Sequence, residues 1–182
     1  MDATTASDLT IRPETPADHV AIGAVVEAAF GSAVEARLVE AIRASEHFVP
    51  ELSLVGEIGG RVVGHVMVSY TALHDTAARY RIPMLSPLAV APDAQRRGIG
   101  SALVRAVAAL VDARGEPLIV LEGSPAYYGR LGFEYSVPYG IRITLPEWAP
   151  PEAAQILRLR TYAPALRGVV VYPPAFDAVI EH

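Results

Sequence analysis

The stretch Gln95-Arg96-Arg97-Gly98-Ile99-Gly100-Ser101 holds the densest chemistry in the chain. An apolar run, Leu88-Ala89-Val90-Ala91, stops at Pro92, and the residues after Gly98 repeat at helical spacing. This order predicts a strand, a glycine-punctuated loop and the first turn of a helix. Unpaired N–H groups and the helix dipole suit such a helix start to an anion, above all a phosphate. Gly98 and Gly100 let the backbone come close, and Arg96 and Arg97 add positive charge on a chain of formal net charge -5. A short glycine motif has low specificity by itself, and a purely structural turn is its plain alternative.

Downstream lies Tyr127-Tyr128-Gly129-Arg130-Leu131-Gly132-Phe133, where two phenols offer a proton donor or an aromatic lid. Two phosphate-loop types fail on the residues. A dinucleotide fold needs a third glycine where Leu103 stands, and a P-loop needs a lysine that the chain lacks. Gln95 to Gly100 resembles, at every defining position, the Q/RxxGxG/A signature of the GCN5-related N-acetyltransferase (GNAT) family, and Tyr128 to Phe133 resembles the YxxxGF motif that follows it there. Together with Gly64-His65-Val66 and Pro87-Leu88-Ala89-Val90, the similarity is nearest to the bacterial YhbS-like subgroup and covers roughly residues 9 to 135.

The resemblance implies acetyl-CoA as acyl donor and a primary amine as acceptor, with direct attack in a ternary complex. It places the pantetheine arm along Leu88, Ala89 and Val90 and the pyrophosphate on Gln95, Arg96, Arg97, Gly98, Ile99, Gly100 and Ser101. Tyr128 takes the position of the general acid that protonates the departing thiolate, and Tyr127 is read as packing. The acceptor amine must lose a proton first, since a lysine-like amine of pKa ~10.4 is neutral in only about one molecule in a few thousand at pH 7. Many relatives carry a carboxylate just before the motif strand, whereas this chain has Ser86 and Pro87. Glu27, Glu57, His65, His74, Asp75 and Glu122 are the candidate bases, beside a chain of waters. Ser124 stands near the position of an asparagine that helps to place CoA in relatives. A small-molecule amine is expected ahead of a protein acceptor, acting in the cytoplasm as monomer or homodimer. The alternative is an acyl-CoA-binding sensor without significant turnover.

Composition narrows the rest. There is no Cys, which excludes disulfides, thiolate nucleophiles and cysteine-ligated metals, and no Lys, which excludes Schiff-base chemistry. All 15 basic side chains are Arg, and Asn is missing too, a pattern that coding bias explains without function. The acidic balance argues against nucleic acid, and no apolar run approaches a membrane span. No metal is expected: His74-Asp75 are neighbours on a predicted loop and lack ligand geometry.

These groups must be held by a frame that the spacing also predicts. Thr15-Pro16-Ala17-Asp18 caps a helix bearing Ile22, Val25, Val26 and Ala29, and Ser32 to Glu35 reads as a second capping box. Leu52 to Ile58, Gly59-Gly60 and Arg61 to Tyr70 form a hairpin, Thr71 to Arg81 a loop, and Ile82 to Ala91 a strand that Pro87 interrupts. Gly98 to Arg114 is a helix with the stripe Ile99, Leu103, Val107, Leu110, followed by a strand at Pro117 to Leu121. Strand character returns at Gln155 to Tyr162 and Leu166 to Tyr172, and Trp148 among its prolines is expected to anchor the C-terminal segment. The element order gives one mixed α/β domain over 1–182, and the resemblance to the GNAT family implies a mostly antiparallel twisted sheet splayed at the motif strand and flanked by helices.

Overall fold

The computed structural model describes residues 8–180. Among the described residues nine strands form one mixed sheet: β1 (Thr10–Pro13), β2 (Ser53–Ile58), β3 (Arg61–His74), β4 (Arg79–Val90), β5 (Leu118–Glu122), β6 (Glu134–Tyr135), β7 (Ile141–Arg142), β8 (Ala154–Arg158) and β9 (Gly168–Val171). The order is β1-β2-β3-β4-β5-β8-β6, while β9 runs beside the second half of β3 and carries β7. Only β4/β5 and β7/β9 are parallel. The helices are α1 (His19–Phe30), α2 (Val34–Arg43), α3 (Ile99–Ala113) and two single turns, α4 (Pro125–Tyr128) and α5 (Asp177–Ile180).

Period-two patterning builds the β2–β3 hairpin, and Gly59 and Gly60 turn it with φ of 57° and 78°. The hairpin is longer than its apolar pattern suggests. β3 continues to His74 and β4 starts at Arg79, so the predicted loop over Thr71 to Arg81 is mostly ladder, and only 75–78 turn the chain. Pairing with β9 covers the polar end of β3, a tertiary gain that local sequence does not report. α3 packs on the β3 face that carries Gly64, where an added Cβ would lie 2.8 Å from Leu103 and 3.2 Å from Ile99. The buried stripe of α3 runs through Ile99, Leu103, Val104, Val107 and Val111, while Leu110, expected on it, is 41% exposed. The Ser32 capping box does not form: Ala33 is the N-cap of α2 and carries no side-chain bond, although the Ser32 hydroxyl accepts from the Val34 N–H at 3.1 Å. Trp148 is 85% exposed and anchors nothing.

The capping box predicted at Thr15 forms, but it caps a 3-10 turn, Pro16–Asp18, that leads into α1, whose own N-cap is Asp18. The Asp18 carboxylate accepts from the Thr15 N–H (2.7 Å) and hydroxyl (2.9 Å) and from both Arg12 nitrogens (2.7 and 2.9 Å), while Arg12 also reaches Glu57 at 2.9 Å. These donors, the Arg12 guanidinium first, hold the Asp18 carboxyl well below the ordinary carboxylate range against the cost of burial. A depressed folded-state pKa contributes stability that is complete above the unfolded value, about 3.9, and disappears as pH falls through the folded value. Asp18→Asn is therefore expected to destabilise the fold by about 1–3 kcal/mol at pH 7, with the gap to the parent closing below about pH 4. Urea unfolding across pH 2–7 measures this, and a pH-independent gap would refute the assignment.

Candidate active site

The site is built where β4 leaves its neighbour. β4 keeps an antiparallel ladder with β3, Gly64 opposite Val90, His65 opposite Ala89 and Val66 opposite Leu88. Toward β5 it registers at a single pair, Met84 with Val120. The strands splay beyond that pair, leaving one edge of β4 from Leu85 to Val90 without a strand partner. Ser86-Pro87 is a cis bond, and it falls where the register with β3 shifts between Val66 and Val68. A proline without an N–H is tolerated at such a break in the ladder.

From Val90 the chain enters α3 through a tight loop. The Gln95 amide donates back to the Val90 carbonyl at 3.0 Å, tying the loop to the end of the strand. Arg96 takes φ 60° and Gly98, the N-cap of α3, φ 79°; the left-handed region is natural for the glycine and uncommon for the arginine. The first bond of the helix ladder runs from the Ala102 N–H to the Gly98 carbonyl at 3.0 Å, so the N–H groups of Ile99, Gly100 and Ser101 precede the ladder. Gln95, Arg96, Arg97 and Gly98 are exposed, whereas Ile99 and Gly100 are buried. A Cβ on Gly100 would lie 3.5 Å from Val90, 3.7 Å from Leu88 and 2.5 Å from the Tyr127 hydroxyl. The open strand edge, the helix start and α4 thus converge on one glycine. Ala89 points to the other face and is 3% exposed.

α4 is a single turn, fixed by Ser124 at its N-cap and Pro125 behind it; the Ser124 hydroxyl accepts from the Tyr127 N–H at 3.4 Å. Tyr128 meets Tyr127 edge-on, centroids 4.9 Å apart, and Phe133 at 5.5 Å. Its ring lies against Gly123, where a Cβ would stand 2.5 and 2.8 Å from ring carbons. Burial, and then the neighbouring Tyr127 phenol, push the Tyr128 hydroxyl above its ordinary pKa. It is therefore a neutral donor at pH 7, suited to giving a proton only to a strong base such as a thiolate.

The candidate bases separate clearly. His65 is wholly buried; its Nδ1 pairs with the Leu54 carbonyl at 3.0 Å, its Nε2 has no partner, and burial lowers its pKa to about 4. It is a neutral imbedded imidazole out of reach of an acceptor, as its place on the sheet face suggested. Glu57 is engaged by Arg12, Glu27 is exposed on α1, and His74 and Asp75 sit at the far end of the β3–β4 hairpin. Glu122, the last residue of β5, is exposed as a residue, yet burial raises its carboxyl pKa and a weaker interaction with the Tyr172 hydroxyl lowers it. Gly123 and Tyr172 escaped the sequence reading. Gly123 looks like an ordinary loop glycine, and Tyr172 lies in the proline-rich tail where patterning is weakest. Among the described residues no group of three or more His, Asp or Glu is placed to hold a metal. No helix among them is long and apolar enough to cross a membrane.

Residues 10–136 match the acetyltransferase (GNAT) domain family. The chain is 32% identical over 120 residues to the uncharacterized N-acetyltransferase YjhQ of Escherichia coli, covering 62% of this chain and 66% of YjhQ, just under two thirds of that protein. It is 29% identical to E. coli YhbS over 92% of this chain and 98% of YhbS. The crystal structure of E. coli YhbS in complex with CoA superposes with a TM-score of 0.84 at 28% identity, over 97% of this chain and 95% of that one. A GNAT acetyltransferase from Brucella melitensis in complex with acetyl-CoA gives 0.74 at 32% identity, over 93% and 98%.

Proposed function

The chain belongs to the GNAT acetyltransferase family, and we propose that it moves the acetyl group of acetyl-CoA to a primary amine by direct attack in a ternary complex. One observation carries the reading: an unpartnered β4 edge runs into an open helix start at Gly98–Ser101, beside a half-buried, protonated phenol. Crystal structures of two similar proteins hold CoA and acetyl-CoA.

In this reading the backbone of Leu88, Ala89 and Val90 takes the place of a missing strand partner for the amides of the pantetheine arm, a form of strand addition. The N–H groups of Gln95 to Ser101 receive the pyrophosphate, and the side chains of Leu88 and Val90 wall the arm against α3. A free N–H on the β4 edge polarises the thioester carbonyl as its oxygen gains charge. A neutral amine attacks the carbonyl carbon, the C–N bond forms, and the C–S bond breaks as Tyr128 gives its proton to the thiolate. The proton left on nitrogen restores the phenol, so atoms and charge balance. Ser124, as the cap of α4, acts here by holding Tyr128 in place. The acceptor is a small amine met in the cytoplasm.

The absence of a carboxylate at Ser86-Pro87 is the observation that favours the second reading, an acyl-CoA sensor. Thermal unfolding with saturating acetyl-CoA, CoA, NAD and ATP is the test. At a hundred times Kd a ligand adds about 2.7 kcal/mol, expected here as a rise of about 5–10 °C with acetyl-CoA and CoA alone. No rise with either would remove the phosphate-loop assignment, while a rise without amine-dependent CoA release across a broad amine panel would favour the sensor.

A further inference from the structure

The sheet is open at its foot. α3 packs on one face of β3 at Gly64, where its Ile99 and Leu103 stand nearest, and side chains two apart along the strand share that face as far as His74. The helix stops short. Ala113 is its last residue, and just past it Glu116 accepts from the hydroxyl of Tyr70 on β3. Beyond Tyr70 two cross-strand rows continue the face toward solvent. Arg142 of β7, Val169 of β9, His74 of β3 and Arg79 of β4 are in register in one row, and Val171, Ala72 and Arg81 in the next. Val169 and Val171 are 41% and 42% exposed. The guanidinium carbon of Arg81 lies 3.5 Å from the centroid of the Tyr70 ring, which sets it on this face as the register requires. The centre of the platform is thus apolar and both flanks are arginine. Arg142 on one side, and Arg79 and Arg81 on the other, are exposed and make no ion pair among the described residues. On a chain of formal net charge -5 these three cations form a local excess of positive charge. The carboxylates that border them are engaged, Glu116 by Tyr70 and Asp75 by the N–H of Thr76 at 2.7 Å.

The spacing selects the partner. Three strand spacings set Arg142 and Arg79 about 14 Å apart, and an α-helix with its side chains is about 10–12 Å wide. A helix therefore fits between the flanks, and α3 already shows that this face of β3 accepts one. β7, at the edge, has only two residues, too few to template an added strand. The bases of a single-stranded nucleic acid would find no free ring to stack on, since Arg81 covers Tyr70. We propose that this platform is a docking surface for an acidic amphipathic helix of a partner protein, whose apolar stripe covers Val169, Val171 and Ala72 and whose Asp or Glu side chains on both flanks meet Arg79, Arg81 and Arg142. The surface lies at the start of β4, the opposite end from the loop at Gln95 to Ser101, so a docked helix leaves that loop open.

The test uses fluorescence anisotropy of a labelled helical peptide of about five turns, with Leu along one stripe and Glu on both flanks of it. Two controls accompany it, the same peptide with Lys for Glu and a scrambled peptide of equal composition. The Glu peptide is expected to bind the full chain with a Kd of about 10⁻⁵ M at low salt, about tenfold or more below either control. Arg79→Glu with Arg81→Glu, and separately Arg142→Glu, are each expected to weaken binding about tenfold, and Val169→Thr, which keeps the strand, about threefold. Arg105→Glu, the same reversal on the exposed side of α3, is expected to change nothing. Circular dichroism and the thermal midpoint verify that each variant is folded. Equal binding of the three peptides, an unchanged Kd in the arginine reversals, or no binding up to about 1 mM would overturn the surface. Tighter binding of oligothymidylate or of phosphatidylglycerol vesicles, lost in the same variants, would overturn the helix in favour of nucleic acid or membrane. A dimer in sedimentation that the reversals dissociate would overturn it in favour of a second copy of this chain.

Discussion

Tyr128→Phe is expected to slow amine-dependent CoA release about 10³-fold while acetyl-CoA affinity stays within about twofold of the parent. The ring is what the protein needs for packing: it meets Tyr127 at 4.9 Å and Phe133 at 5.5 Å and closes over Gly123, and Phe keeps all of this. The hydroxyl is what the reaction needs. Burial holds it protonated, with a pKa raised from its ordinary value, so it does not compete as an anion and donates only when the thiolate forms. Loss of the donor should fall on kcat and on kcat/KM together, because the interaction exists in the transition state alone. It should also depend on the leaving group, with acyl donors of more acidic thiols losing less. Steady-state kinetics with acetyl-CoA, and calorimetry for binding, check both halves. Equal losses in kcat and in CoA affinity would reduce Tyr128 to a lid, and full activity in the Phe variant would remove it from the chemistry.

The parts of the fold that were legible in sequence are those whose signals are local. Glycines of positive φ at 59, 60 and 98, the Thr15 to Asp18 cap, and the alternation over 53–58 and 61–70 each report a backbone state within a few residues. The phosphate-loop candidate was visible for the same reason, since Gln95 to Ser101 is one turn of chain. The parts that stayed dark depend on partners far away. β3 and β4 extend past their apolar pattern because β9, about a hundred residues on, pairs with Ala72, Leu73 and His74. α3 turns its face so that Val111 rather than Leu110 is buried, a choice made by the sheet beneath it. Trp148 reads as an anchor on composition, yet it stands in solvent. The base is not legible for a related reason: sequence offers six acidic or imidazole candidates, and only burial and pairing set His65 and Glu57 apart from the rest.

Gly123 is the position where fold and chemistry are least separable, and Gly123→Ala is expected to lower turnover as far as Tyr128→Phe does, about 10³-fold. A methyl there would stand 2.5 and 2.8 Å from two carbons of the Tyr128 ring and 3.2 Å from Leu121. The ring cannot yield freely, because Phe133 and Tyr127 hold its other sides. The backbone cannot yield either, since the Gly123 N–H donates to the Ala153 carbonyl at 3.0 Å and its carbonyl accepts from Gln155 at 2.9 Å. The strain therefore falls on the Tyr128 ring and on the placement of its hydroxyl, and overpacking adds about 1–3 kcal/mol of instability. Two combinations separate displacement from general damage. Gly123→Ala with Tyr128→Phe should be no slower than either alone, since both remove one interaction. Gly123→Ala in a Tyr128→Ala background should cost little further stability, because the opposing ring is gone. Additive losses in the first pair, or an undiminished penalty in the second, would mean that Gly123 serves the β5–α4 turn and not the phenol. The control is acetyl-CoA binding. The ligand's expected contacts run along β4 and the start of α3, neither of which the added methyl touches, so the thermal shift on binding should survive even where turnover does not.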